Sequence, residues 1–210
     1  MILAKKNRIP ELAAERDGRA RLRRFVRIYW PIVFATVGRH DPDGTPERWA
    51  QMADAMLAHL AIETGSGESC FCWNVGNIHA TGEESARFHG RDSLVVGGPS
   101  SGVDFRAYFT MRGGVEDYVR VVSRSSTRWN TLRSESERAH YLVSLGRTGY
   151  FSNEPALEPS RDAAQAQLVP MIRNDSAPYR PGPETGQIAI AALGATTLAG
   201  LGLALWKGVL

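Results

Sequence analysis

Glu63 is the residue whose type and setting are suited to chemistry. It closes the apolar run His59-Leu-Ala-Ile-Glu63, and the chain breaks directly afterwards at Gly65 and Gly67. A carboxylate there sits in the last turn of a helix, facing whatever cleft the glycine-rich loop opens. The negative end of the helix dipole disfavours an ionised group at that position, and an ionised carboxylate on a buried face is costly unless paired. Both effects raise the pKa, and a carboxyl that keeps its proton near neutral pH is a general acid. Glu63 is therefore the candidate catalytic residue.

The element that must carry it is legible. Thr45-Pro46 supplies an N-cap followed by proline at the first helical position. Trp49, Met52, Ala53, Met56, Leu57, Leu60 and Ala61 then recur at helical spacing, which predicts a helix with one apolar stripe. Glu63 follows Leu60 by three residues and Met56 by seven, on that same inward stripe.

Around this helix the chain reads as α+β, mainly helical. Phe25–Phe34 is an apolar segment interrupted by Pro31, expected as one helix or a kinked pair ending near Gly38. Ser93–Val96 and Val103–Phe109 flank Gly97–Gly102 and predict a small β-hairpin. A helix opening at Gly113-Gly114 carries Val115, Tyr118, Val119 and Val122 on one face. Further helices are expected over Ser134–Leu145 and Ser160–Ile172, the second disturbed by Pro170.

Four regions follow: a basic arm over 1–24, a folded domain over 25–172, a Pro-rich linker over 173–185 and an apolar helix over 186–207. At 210 residues, with 43% hydrophobic and 22% charged content, the chain can bury one core. The net charge of +3 is uneven, since residues 1–27 hold nine Lys/Arg against Glu11, Glu15 and Asp17. That arm suits an anionic lipid or wall polymer or a solvated helix face; without zinc-finger spacing or interleaved aromatics, nucleic-acid readout is not expected. Cys70 and Cys72 are too close for a useful bridge and have no second ligand pair near them, so free thiols and no metal or other cofactor are expected.

The 21 residues Gly186–Trp206 carry no charge, long enough to cross a bilayer core. Ala191, Ala195 and Ala199 allow close helix contacts there, and Trp206-Lys207 suits an interface anchor. The N-terminus lacks the apolar region of a secretory signal, so the expectation is a membrane-associated protein carried to the bacterial envelope as a virion component or by a partner machine.

Several short motifs carry a family resemblance. Ala61-Ile-Glu-Thr-Gly-Ser-Gly-Glu-Ser69, Trp73-Asn-Val-Gly-Asn-Ile78, Phe105-Arg-Ala-Tyr108, Gly114-Val-Glu-Asp-Tyr-Val119 and Gly149-Tyr-Phe-Ser-Asn-Glu-Pro155 resemble the glucosaminidase and lytic transglycosylase families of lysozyme-like fold, as found in flagellar and phage peptidoglycan hydrolases. The resemblance spans residues 25–172. It implies a lysozyme-like fold and peptidoglycan glycan strands as substrate, with Glu63 as general acid. Ser69, Asn74 and Asn77 would edge the cleft, and Tyr108, Tyr118 and Tyr150 would line sugar subsites. Two positions depart from the pattern: Ser66 stands where a tryptophan is common, and Asn77 where glycine is usual.

Cleaving the β-1,4 bond between N-acetylated amino sugars requires a proton on the leaving oxygen, and most glycosidases add a second carboxylate. Glu83, Glu84, Asp92 and Asp104 are candidates without distinctive context, so hydrolysis and the single-glutamate lytic transglycosylase route both stand, with a lean to the latter. Met56, Leu57, Leu60, Trp73 and Ile78 would supply the apolar setting. Tyr118, on the apolar face of its helix, is expected to pack with its hydroxyl reaching the cleft. A second class also stands, a structural or fusion-type envelope protein whose domain only binds glycan.

Overall fold

The computed structural model describes residues 12, 14–68, 70, 73–78, 93–97, 104–108, 110–150 and 155–181. Expectations for Ser69, His79, Glu83, Glu84, Asp92, the hairpin tip and the apolar segment 186–207 lie outside them, as does the side chain of Asp104. Residues 1–178 form one compact unit and 179–210 a second, of which only 179–181 are described.

Six helices and a hairpin are described in the first unit. Helix α1 spans Gly18–His40, capped by the Asp17 side chain, which accepts from the amides of Arg19 and Ala20. It starts well before Phe25, so Arg19, Arg21, Arg23 and Arg24 share a helix with the buried Leu22, Phe25 and Val26. Of the two forms expected, one continuous helix is found: Pro31 and Arg27, whose carbonyl it cannot bond, both face solvent, where the missing bond costs least.

Helix α2, Pro46–Thr64, is capped as predicted: the Thr45 hydroxyl accepts from the Arg48 amide at 3.2 Å, and Gly65 ends the helix in the left-handed region at φ 57°. Instead of a single stripe, every residue from Met52 to Ala61 is buried. Ala50, Ala53, Ala55, Ala58 and Ala61 keep the helix thin, so α1 packs on one side and later helices on others. A helix buried all round must satisfy its polar groups internally. Asp54 shows how: its carboxylate accepts from the Trp30 indole of α1 at 2.9 Å, with Arg173 of α6 at 3.5 Å.

Strands β1, Ser93–Gly97, and β2, Asp104–Tyr108, pair antiparallel with Ser93 opposite Tyr108 and Gly97 opposite Asp104, as the sequence predicts. Helix α3, Met111–Ser123, starts two residues before the expected glycine pair because Thr110 caps it, its hydroxyl accepting from the Gly113 amide at 3.0 Å. Val115, Tyr118, Val119 and Val122 are its buried face. Gly114 lies against the next loop so closely that a Cβ would sit 1.9 Å from the Trp73 carbonyl oxygen.

Helix α4, Ser126–Arg133, is the element the sequence pattern does not announce, since only Trp129 and Leu132 mark its inner side. The helix expected over 134–145 divides into a turn, a short 3₁₀ segment at Arg138–His140 and α5, Tyr141–Arg147. Gln165 explains the division: its buried side chain accepts from the Leu142 amide at 2.9 Å and donates to the Arg138 carbonyl, serving backbone groups that a continuous helix would pair itself. Helix α6, Glu158–Ser176, runs through the exposed Pro170 into the expected linker.

Among the described residues no helix is long and apolar enough to cross a membrane. Cys70 is buried.

Replacing Asp54 with Ala would strand the Trp30 indole N–H in the core. We expect a loss of about 2–3 kcal/mol, read as a lower denaturant midpoint with an unchanged m-value.

Candidate functional site

Glu63 lies at the rim of this core, on the last turn of α2, with 23% of its side chain exposed. It is thus at the edge of the buried stripe, where a carboxyl meets solvent on one side and protein on the other. Both oxygens have protein partners. Asn77 Nδ2 donates to Oε2 at 2.9 Å and also to the Glu63 main-chain carbonyl at 2.9 Å, so a single amide clamps side chain and helix end together. Oε1 lies 3.4 Å from His59 Nε2, one helical turn back.

The Asn77 amide is held in place by its loop. Asn74 is buried: its Nδ2 donates to the carbonyls of Ile78 and Arg106, both at 2.9 Å, and its Oδ1 accepts from the Ile78 amide at 2.8 Å. The Arg106 amide donates to the Ile78 carbonyl at 3.1 Å, joining the loop to β2. Trp73 and Asn77 adopt left-handed φ values of 58° and 47°, and Ser66, just past Glu63, one of 56°. Each costs of order 1 kcal/mol, least for asparagine, which tolerates this region best after glycine. Asn77 can therefore stand where the resembling families have glycine, and its side chain gains the bond to Glu63.

Behind the carboxylate is a cluster of phenols. His59 Nδ1 is 2.8 Å from the Tyr118 hydroxyl, which is 2.9 Å from that of Tyr141. Tyr150 stacks edge-on to the His59 ring at 5.0 Å and donates to the Gly76 carbonyl at 2.9 Å. Only glycine fits at 76, since a Cβ would meet the Tyr150 hydroxyl at 2.6 Å and Tyr118 at 2.7 Å. Burial pushes the phenols of Tyr118, Tyr141 and Tyr150 well above their ordinary range, and the Glu63 charge adds to the push on Tyr118 and Tyr150. They stay protonated and can only share hydrogens with the site.

A second polar cluster holds the hairpin to α3. Asp117 accepts from Arg106, at 2.7 Å, and from Tyr108 and Arg120. Burial works to raise its carboxyl pKa, but the hydrogen bonds from Tyr108, Arg106 and Arg120 outweigh it, and the net direction is downward. Burial and the Asp117 charge push the Tyr108 phenol upward.

The structure thus brings Glu63, Asn77, Tyr118 and Tyr150 into one cluster. Asn74 belongs to its scaffold, since its polar atoms are spent on the loop backbone. Tyr108 is 5% exposed and bonded to Asp117, and Tyr118 is fully buried, so neither turns a ring face to solvent; Tyr150 is half-buried. Met56, Leu57, Leu60 and Ile78 are buried and Trp73 half-buried. His59 is the site residue that sequence reasoning missed. The available signal was its position one turn before Glu63, on the face where every neighbour is apolar. Among the described residues, no group of three or more His, Cys, Asp or Glu could hold a metal ion.

Asp117 couples stability to pH. With its folded pKa below the unfolded value of about 3.9, its contribution is fully present above about pH 4 and is lost as pH falls through the folded pKa. The urea midpoint should drop as pH falls below about 4. Asp117→Asn should be weaker by about 3 kcal/mol at pH 7 and lose less on acidification.

No protein-family model matches the sequence, and no curated protein matches it. Among solved structures the chain is similar to a peptidoglycan hydrolase from Sphingomonas sp. A1, with a TM-score of 0.53 and 21% identity over 74% of this chain and 96% of that one. The glycoside hydrolase domain of FlgJ from Salmonella typhimurium follows at a TM-score of 0.47 and 20% identity, over 78% of this chain and 93% of that one. Over about three quarters of its length, this chain has the fold of the Sphingomonas peptidoglycan hydrolase.

Proposed function

We propose that this protein is a peptidoglycan-degrading glycosidase that cleaves the glycan-strand β-1,4 bond between N-acetylated amino sugars, with Glu63 as general acid and then base. The observation that carries the reading is the carboxyl itself: it ends a buried helix, is open to solvent on one side, and is oriented by Asn77 through two bonds of 2.9 Å. Support comes also from the fold, shared with a protein described as a peptidoglycan hydrolase.

The reaction begins with the sugar chain laid across the rim of α2, so that a glycosidic oxygen reaches the Glu63 carboxyl. Proton transfer to that oxygen breaks the bond as positive charge builds on the sugar ring. The carboxylate left behind is stabilised by Asn77 and takes a proton from the incoming nucleophile. In the single-glutamate route that nucleophile is the substrate's own 6-hydroxyl, assisted by its N-acetyl group, and an anhydro sugar results. With a second carboxylate, water attacks instead. Among the described candidate tyrosines, Tyr150 keeps part of its surface open beside His59 and Glu63, and it is our choice for a sugar contact.

The apolar segment 186–207 would hold the enzyme at a membrane, and virion or partner-machine delivery would bring it to the wall. The uncharged run of 21 residues supports this part of the reading.

Glu63→Gln keeps the shape and the Asn77 contact but removes the proton. It should clear no peptidoglycan in a zymogram while melting like the parent; parent-like clearing would exclude the enzyme. Mass spectra of the parent's products should show 1,6-anhydro ends, whereas reducing ends alone would assign the hydrolytic route.

A further inference from the structure

His59 is an expensive residue to bury. It is 1% exposed on the most deeply buried stretch of α2, where leucine or methionine would fill the space with no polar atoms to satisfy. Its surroundings fix the ring on three sides. Tyr118, Tyr141 and Tyr150 lie at ring-centroid distances of 5.5, 6.4 and 5.0 Å. The Tyr118 hydroxyl meets Nδ1 at 2.8 Å and is itself backed by the Tyr141 hydroxyl at 2.9 Å. The ring nitrogen that remains, Nε2, is the one aimed at Glu63, 3.4 Å from Oε1.

We propose that His59 is the positioning residue of Glu63: Tyr118 donates to Nδ1, which sets the tautomer, and Nε2 then carries the hydrogen that Oε1 accepts. This rests on the reading of Glu63 as the catalytic acid. Asn77 holds Oε2 and the helix-end carbonyl, and the buried His59 Nε2 faces Oε1 at 3.4 Å. The carboxyl plane is thereby set by one donor on each oxygen. The 3.4 Å separation is one that can tighten when substrate excludes water from the rim.

The groups facing this pair are Tyr118 from α3, Tyr141 from α5, Tyr150 from the turn after α5 and Arg128 of α4, whose guanidinium lies 5.3 Å over the Tyr150 ring. Burial keeps the three phenols protonated, so the hydrogens needed to set the tautomer stay in place across the working pH range. An imidazole N–H on Oε1 stabilises the ionised carboxyl, and its removal must raise the Glu63 pKa.

The test compares initial rates on purified cell walls for Glu63→Gln, His59→Leu, His59→Gln and Tyr118→Phe, as a function of wall concentration and pH, with thermal melts alongside. His59→Leu should lower the maximal rate by about 10- to 100-fold, leave the half-saturating wall concentration within about twofold, and move the alkaline limb of the profile to higher pH. His59→Gln extends an amide N–H to nearly the same place and should recover most of the rate. Tyr118→Phe keeps the ring but frees the tautomer, and should shift the limb in the same direction with a smaller loss.

Parent-like rate and profile in His59→Leu, or a limb that moves to lower pH, would overturn the proposal. So would a folded His59→Gln no better than His59→Leu. Should His59→Leu fail to fold, Tyr118→Phe decides: the upward limb shift supports the proposal, and a parent-like profile overturns it. Glu63→Gln separates the two levels. Activity in that variant removes the underlying reading, whereas an inactive Glu63→Gln beside a parent-like His59→Leu removes only the role of His59.

Discussion

Burying a helix on every side is the constraint on which this structure depends. Between Met52 and Ala61 no residue of α2 reaches solvent, so each polar group on it must find a partner on a neighbouring element. Those partners decide which element sits where. Asp54 draws in the Trp30 indole from α1 and Arg173 from α6, while His59 meets Tyr118 from α3. Apolar packing supplies the drive to collapse, but it is indifferent to rotation of one helix about another. The buried polar pairs are not, and they select one arrangement.

The site follows from where that buried helix stops. Thr64 returns its hydroxyl to the Leu60 carbonyl at 2.7 Å and accepts the Gly67 amide at 2.9 Å, closing the helix end on itself. Glu63 is then the first carboxyl at which protein gives way to water. Ser66, just past it, and Trp73 and Asn77, in the loop that orients it, are left-handed non-glycine residues. The strain in that loop is tolerated because Asn74 and β2 hold the loop backbone from beneath. The hairpin, in turn, is held down through Arg106 and Asp117. Small as it is, the β-lobe is the footing of the loop that holds Glu63.

Legibility in the sequence tracked the strength of local signals. Thr45-Pro46 and the apolar repeat announced α2 because cap, proline and periodicity agree. The face of α3 and the strands of the hairpin were readable for the same reason. Glu63 stood out because a carboxylate at the end of such a helix violates the pattern. Elements defined by long-range partners were hidden. Helix α4 has two buried markers only, and the break before α5 depends on Gln165, which lies on a helix further along the chain. Pro31 and Pro170 suggested interruptions that did not occur, since both face water. His59 looked like one more core position. The resemblance placed Tyr108 and Tyr118 at sugar subsites, while the apolar face of α3 already pointed to packing for Tyr118; both rings are buried.

The bond from the Tyr150 hydroxyl to the Gly76 carbonyl spans 74 positions of the chain. Tyr150 also borders His59, and its ring is capped by Arg128, so one side chain late in the domain braces both the loop that holds Glu63 and the histidine one turn before it. Contacts this distant in sequence form late in folding, after the local helices. A nascent chain that has emerged only as far as α3 holds Glu63, Asn77 and Tyr118 but lacks the brace that sets their geometry. The geometry around Glu63 is therefore complete only once the chain extends past α5 to Tyr150.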